Sequence, residues 1–369
     1  MHTSSIIAIG TANPAYRASQ DYVMHFMSEA LELDYRKARI FKSIFKRSGI
    51  DFRHSVLSDY EKKPGEFNFF PNDRSQAFPG TAVRMQIYQQ AALPLALAAI
   101  HNCLNGFDGF GKEAITHLIT ISCTGMYAPG LDIEIINSLH LSVNIKRTCI
   151  NFMGCYAAFN GIRAADAICR ADPEAKVLIV SVELCTLHFQ KDDSMDNLLS
   201  SSLFADGAAA MLIEANSKRP KQLCLNKFHC DIVPDTSQEM AWYIGNQGFN
   251  MVLTSYVPQA IEFGIGQFAQ RLLDQGNFDL SNIDFFAIHP GGVKILQACE
   301  KALNISPEDN RYSYEVFRNH GNMSSATTIF VLKMIWEQLS SKDHGRNIFS
   351  CAFGPGLTLE SMLLQIQHV

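Results

Sequence analysis

The sequence predicts an α/β protein built from two similar halves, and three observations carry that prediction. Strand-like and helix-like segments alternate along nearly the whole chain. Several strand segments are unbroken apolar runs, the pattern of strands buried on both faces. The same rhythm of strands and helices returns in the second half, which hints at an internal duplication. No low-complexity linker interrupts the chain. The polar stretch 216–222, which contains Pro220, marks the change, so residues 1–220 and 221–369 are predicted as the two units.

In order, residues 5–9 predict a strand and 19–31 a helix. Residues 35–47 predict a second helix, basic on one face. The phenylalanines and prolines of 66–79 predict an irregular loop. An Ala- and Leu-rich helix follows over 81–103, then an apolar strand over 117–122 that ends in a glycine turn. A short strand over 147–151 leads to a helix over 156–170. Ala157, Ala158, Gly161, Ala164 and Ala165 put small residues on several faces of that helix, as suits close packing inside the protein. Buried strands are predicted over 177–183 and 207–214. The second half gives a strand over 222–231, a helix over 258–273, a strand over 285–289 and a helix over 293–302. A helix over 323–338 and closing strands over 347–353 and 358–365 complete it.

Composition excludes several classes. A net charge of −5 and an isoelectric point near 6.2 give no reason to invoke nucleic acid. The first ten residues hold only a short apolar stretch without a basic start or cleavage signal. No segment reaches the roughly 18 apolar residues of a membrane span. A soluble, cytoplasmic protein is expected. Its ten cysteines form no C-x-x-C pair, so reduced, buried thiols are expected rather than disulfides or a metal site. Cys155 differs from the other nine in its setting.

Three segments place one chemically capable residue each at the end of an apolar run. Cys155 lies between a strand and a helix, after Gly154, where the helix dipole favours a thiolate. His289 ends a strand and precedes Pro290-Gly291-Gly292, at the carboxyl end where sites form in α/β sheets. Asn322 follows Gly321 ahead of a helix. Taken singly, these are a core cysteine, a strand-end histidine and a helix cap. Together they offer a nucleophile, an imidazole and a carboxamide, which suffice to accept an acyl group and bind an oxyanion.

Met153-Gly154-Cys155, Ile288-His289-Pro290-Gly291-Gly292 and Gly321-Asn322-Met323-Ser324-Ser325-Ala326 resemble the three catalytic segments of the type III polyketide synthases, the chalcone synthase superfamily. Leu203-Phe204-Ala205-Asp206-Gly207 resembles the family's gatekeeper segment, and Phe353-Gly354-Pro355-Gly356-Leu357-Thr358 its cyclisation loop. The likeness extends over nearly the whole chain. It implies a thiolase-like, five-layered α-β-α-β-α fold, usually as a homodimer. It also implies a reaction in which an acyl-CoA starter passes to Cys155 and malonyl-CoA is decarboxylated. The resulting carbanion attacks the thioester, and after some cycles the product closes into a ring.

The resemblance gives roles to further residues. His289 pairs with the Cys155 thiolate and lowers its pKa, and His289 and Asn322 donate to the enolate oxygen. Phe204 excludes water from the decarboxylating carboxylate. The cavity wall departs from the plant pattern. Met251 stands in place of a second gatekeeper phenylalanine, and Trp242 in place of a glycine. Cys123, Cys185 and His188 replace threonines, beside Thr124 and Glu183. Ser324, Gly354 and Pro355 complete the expected substrate wall. Bulky Trp242 points away from flat aromatic starters, and the bacterial relatives' fatty acyl starters point toward an alkylpyrone or alkylresorcinol. Lys42, Lys46 and Arg47 are expected to meet coenzyme A phosphates, and Gly291 and Gly292 to admit its pantetheine arm. No cofactor is expected, because coenzyme A thioesters are the substrates.

Three other readings compete. A single-step condensing enzyme like ketoacyl synthase III shares the fold and a Cys-His-Asn set, but its relatives carry a histidine-glutamine-alanine-asparagine segment where this chain has His289-Pro290-Gly291-Gly292. A non-catalytic scaffold of the same fold would not need Cys155, His289 and Asn322 intact. A cysteine hydrolase is weaker still, because nothing suggests peptide recognition.

Overall fold

Nine strands form one sheet, in the order Phe285–Ile288, Asn347–Gly354, Thr358–His368, Lys221–Ile232, Ser4–Ala12, Asp206–Ala215, Lys176–Leu184, His117–Ser122 and Lys146–Asn151. The computed structural model that shows this describes residues 2–63, 65–73, 75–105, 111–254 and 256–368. Among the described residues, the two halves of the sheet are joined where Ser5 and Ile6 pair with Cys224 and Leu223.

Each half repeats one pattern of strand directions. His117–Ser122 runs parallel to Lys176–Leu184, which is antiparallel to Asp206–Ala215, which is antiparallel to Ser4–Ala12. Phe285–Ile288, Asn347–Gly354, Thr358–His368 and Lys221–Ile232 show the same sequence of parallel, antiparallel and antiparallel pairs.

Three cores give five layers. Ile7, Leu118 and Val180 bury one face of the first half-sheet under the helices Gln20–Ala30, Tyr35–Lys46 and Thr81–Leu104. Ile6, Ile119 and Ile179 on the opposite face share a core with helices Ala157–Ala171 and Thr327–Gln338, and with Ala287, Ile348 and Met362 of the second half-sheet. Phe286, Phe349 and Leu363 bury the last face under helices Val257–Asp274 and Val293–Leu303. Both faces of both half-sheets are therefore covered, which is why the strands read as apolar runs. The small residues of Ala157–Ala171 serve the central layer, where a Cβ on Gly161 would press on the end of the Ile121 side chain.

The predicted elements are present with shifted ends. Helix 323–338 is the exception at its start. Ser324 sits at φ 47°, so the chain makes a short 3₁₀ turn over Ser324–Ala326 before the α-helix begins at Thr327. The loop over 66–79 is irregular, and its Arg74 lies outside the described residues. The helices Leu131–Leu139, Met195–Ser201 and Arg311–His320 went unpredicted, as did the hairpin Met240–Gly245 and Gly248–Leu253, which stands apart from the main sheet.

Candidate active site

The repeat of the fold assembles the site. Cys155 precedes the helix Ala157–Ala171, and Asn322 holds the matching place before Ser324–Ala326 and Thr327–Gln338. His289 follows the strand Phe285–Ile288 as Cys123 follows His117–Ser122.

The turn before Cys155 is tight. Phe152 and Gly154 both have positive φ, 58° and 82°. A Cβ on Gly154 would lie 2.3 Å from Pro355 Cδ, so glycine is required there by conformation and by contact. Gly354 packs against the Tyr156 ring and the Cys155 amide, which lets the 354–357 turn lie over the nucleophile.

The Cys155 thiol is buried and donates to Asn322 Oδ1 at 3.9 Å. Burial pushes it up to about 12, the hydrogen bond with Ser324 pulls it down, the field of Glu183 pushes it up, and the contact with Asn322 pulls it down less. Asn322 Oδ1 also accepts from the Ser324 amide at 2.9 Å. That leaves its amide nitrogen with no protein acceptor among the described residues. His289 is 1% exposed, and burial lowers it to about 3. Its Nδ1 meets the Thr328 hydroxyl at 3.3 Å, and its Nε2 is buried without a partner. Burial therefore works against the charged forms of the expected thiolate–imidazolium pair and opposes the helix dipole at Cys155.

A cavity of about 60 Å³ opens beside Cys155. Phe204, Met251, Cys123, Thr124, Cys185, His188, Trp242, Ser324 and Pro355 all line it, as expected from the sequence. Glu183 and Gly354 stand behind this lining. Glu183 is fully buried and accepts from the Cys123 amide at 3.0 Å, the Thr124 hydroxyl at 2.8 Å and the Ser325 hydroxyl. Burial raises its pKa above the usual carboxylate range, against those hydrogen bonds.

His188 has no free nitrogen to offer a substrate. Its Nε2 donates to the Thr124 carbonyl at 2.7 Å and its Nδ1 accepts from the Phe249 amide at 3.0 Å. The ring stacks on Phe249 at 4.1 Å and stands edge-on to Trp242. Trp242 Nε1 donates to the Cys123 carbonyl at 2.8 Å. Trp242 and Met251 face each other across the hairpin register, so the two residues singled out on the wall are one cross-strand pair. Met27, Phe189, Met240 and Phe249 complete an apolar lining that the sequence did not reveal, because they come from four separate elements.

A second opening, about 390 Å³, runs between the helices Tyr35–Lys46 and Val293–Leu303. Arg47, Gly291 and Gly292 line it, together with Lys294, which the sequence reading missed. Lys42 and Lys46 are exposed and lie outside this lining. Among the described residues, no group of three or more His, Cys, Asp or Glu side chains is placed to hold a metal. No helix there is long and apolar enough to cross a membrane.

Comparison with known proteins agrees over the whole length. Residues 2–217 match the family model for chalcone and stilbene synthases, N-terminal domain, and residues 225–367 match the C-terminal domain. The chain is 31% identical over 366 residues to "Alpha-pyrone synthesis polyketide synthase-like Pks18" of Mycobacterium tuberculosis, covering 98% of this chain and 91% of that protein. It is 32% identical to "Probable polyketide synthase 1" of Dictyostelium discoideum, covering 99% of this chain but spanning only 11% of that longer protein. The crystal structure of PKS-I from the brown alga Ectocarpus siliculosus superposes with a TM-score of 0.92 at 28% identity, over 99% of this chain and 98% of that one.

Proposed function

The chain belongs to the chalcone and stilbene synthase family, is a type III polyketide synthase of thiolase fold, and on that premise we propose that it makes an alkylpyrone or alkylresorcinol from an acyl-CoA starter. Enzymes of this family are decarboxylating condensing acyltransferases that use acyl-CoA and malonyl-CoA. In this reading, Cys155 attacks the starter thioester and His289 takes the thiol proton, then returns it to the departing coenzyme A sulfur. Because burial disfavours charge on either group, the proton transfer in this reading accompanies loading instead of preceding it.

The observation that carries the mechanism is a pair of side-chain nitrogens left over on the two residues. Among the described residues, Asn322 Nδ2 and His289 Nε2 have no protein partner. They suit the thioester oxygen of malonyl-CoA, which becomes anionic as the carboxylate leaves. The apolar lining keeps water from both the carboxylate and the carbanion. Arg47 and Lys294 supply cations for coenzyme A, and Gly291 and Gly292 give its pantetheine arm backbone-close passage. No cofactor is required. Incubation with malonyl-CoA and a panel of acyl-CoA starters, with products identified by mass, tests this reading.

The alkyl starter is supported by Met27, Met240 and Met251, whose unbranched side chains repack around a flexible chain better than aromatic rings do. A homodimer is supported by the edge strand Lys146–Asn151, which is mostly exposed and unpaired on its outer side, next to Met126 at 41% exposure. Light scattering at micromolar concentration tests it.

A further inference from the structure

We propose that the cavity reads an oxygen on its acyl starter: the hydroxyls of Tyr60 and Ser201 hold a hydroxyl group carried far along an aliphatic acyl-CoA chain. The proposal rests on the alkyl-starter reading above and narrows it from plain fatty acyl chains to hydroxylated ones.

The lining of the cavity beside Cys155 is not apolar throughout. Tyr60 and Ser201 belong to it, together with Met27 and Phe189. Tyr60 is 2% exposed, and its hydroxyl is buried without a hydrogen-bond partner. Ser201 is 8% exposed, and its hydroxyl makes no hydrogen bond among the described residues. Other polar side chains of this lining are engaged. The Ser200 hydroxyl donates to the Asn197 carbonyl at 3.1 Å, the Asn197 side chain donates to the Gln190 carbonyl at 3.2 Å, and the Thr186 hydroxyl donates to Asp206 at 2.6 Å. A buried hydroxyl without a partner has given up its hydration for nothing, and such groups are rare. Two of them in one cavity wall mark a place for a polar group that arrives with the substrate.

Both hydroxyls stand on fixed backbone. Tyr60 lies in the 3₁₀ turn Ser58–Glu61, where the Asp59 carboxylate accepts from the amides of Asn68 and Phe69 at 2.9 Å and of Phe70 at 2.8 Å. The Tyr60 ring packs on Phe26 at 5.2 Å. Ser201 ends the helix Met195–Ser201, and its carbonyl accepts from the Arg53 guanidinium at 2.7 Å. Burial raises the Tyr60 hydroxyl above the usual phenol range, so it acts as a neutral donor.

This part of the wall is not the part around the thiol. Ser324, Glu183 and Asn322 act on Cys155, whereas Arg53, Asp206, Arg84 and Asp59 act on Tyr60. A group bonded to Cys155 therefore reaches Tyr60 only along its chain. Each malonyl unit enters next to the thioester, so the oxygens of extension stay near the sulfur. An oxygen at Tyr60 has to come with the starter. A hydroxyl suits the pair, because it donates and accepts as they do. A carboxylate suits it less, because among the described residues no Lys or Arg lines this cavity.

The test compares ω-hydroxyacyl-CoAs of six to twelve carbons with plain acyl-CoAs of the same lengths. Each is incubated with malonyl-CoA and the wild type or Tyr60→Phe, and products are identified by mass. At one chain length or more, the wild type should favour the hydroxylated starter about tenfold in kcat/KM. Tyr60→Phe should lower that preference at least tenfold, through KM more than kcat, and Tyr60→Phe/Ser201→Ala should lower it further. The melting temperature of Tyr60→Phe should be unchanged or higher, since no bond is lost in the free enzyme. A wild type without preference at any length overturns the proposal and leaves the alkyl-starter reading standing. An unchanged preference in Tyr60→Phe overturns it also. In that case a lower melting temperature assigns the hydroxyl to the fold, and a changed number of malonyl units on plain starters assigns it to the growing chain. No turnover of any aliphatic starter strikes the alkyl-starter reading, and this proposal with it.

Discussion

Phe204 and Asn322 are joined through their backbones: the Asn322 amide donates to the Leu203 carbonyl at 2.9 Å, and the Ala205 amide donates to the Asn322 carbonyl at 2.9 Å. The buried Arg53 guanidinium donates to the Phe204 carbonyl at 2.7 Å. The aromatic wall of the cavity and the carboxamide beside the thiol therefore form one rigid unit. Because these bonds are main-chain bonds, the Asn322 side chain can be changed without releasing the segment.

Asn322→Asp should consequently keep the fold and lose the chemistry. It replaces a donor with an anion facing the malonyl carboxylate. Malonyl-CoA decarboxylation, measured as released carbon dioxide, should fall about 10²–10³-fold, with little change in melting temperature. Wild-type decarboxylation in this variant would remove Asn322 from the mechanism.

The buried thiol makes a second prediction. With Cys155 raised to about 12, its alkylation by iodoacetamide in the free enzyme should be slow at neutral pH and keep rising above pH 8. Ser324→Ala, which removes a hydrogen bond that favours the thiolate, should slow it further. A rate that levels off near pH 6–7 would instead require the thiolate–imidazolium pair that the sequence suggested.

Acid stability draws on several buried imidazoles, of which two line or face the site. His188 and His289 are each lowered to about 3 by burial, against about 6.5 in an unfolded chain. The folded form holds them neutral. Their contribution is fully present above pH 6.5 and is lost as the pH falls toward 3. Melting temperature should drop across that window, and His188→Phe should make the acid limb shallower. An unchanged slope would show that His188 takes up no proton on unfolding.

On the cavity wall, Met251→Phe should shift preference toward shorter acyl-CoA starters, and Trp242→Gly should admit coumaroyl-CoA. Relative kcat/KM across a starter series checks both. Equal turnover of all starters in both variants would show that this cross-strand pair does not select the starter.

The sequence singled out the candidate catalytic segments because each combines an apolar strand or helix with an abrupt turn, as Gly154 before Cys155 and Gly321 before Asn322 do. The layered fold was legible for the same reason, since doubly buried strands leave unbroken apolar runs. The charge states were not legible. The burial of Cys155 and His289 depends on contacts between the two halves, and no local pattern records it. The lining residues Met27, Phe189 and Phe249 were equally hidden, being ordinary apolar residues until the fold brings them together. His188 lines the cavity as its place in the family pattern implies, and only the fold shows that both its nitrogens are engaged.

The central claim is that Cys155 carries the acyl chain while His289 and Asn322 act on malonyl-CoA. The most direct measurement is peptide mapping by mass after decanoyl-CoA is added, followed by a malonyl-CoA chase, in the wild type and in Cys155→Ala. The account predicts a decanoyl adduct on the Cys155 peptide alone, converted by the chase to a free cyclic product. It predicts that Cys155→Ala forms neither adduct nor product but still releases carbon dioxide from malonyl-CoA. An adduct on another cysteine, or product from Cys155→Ala, would contradict it.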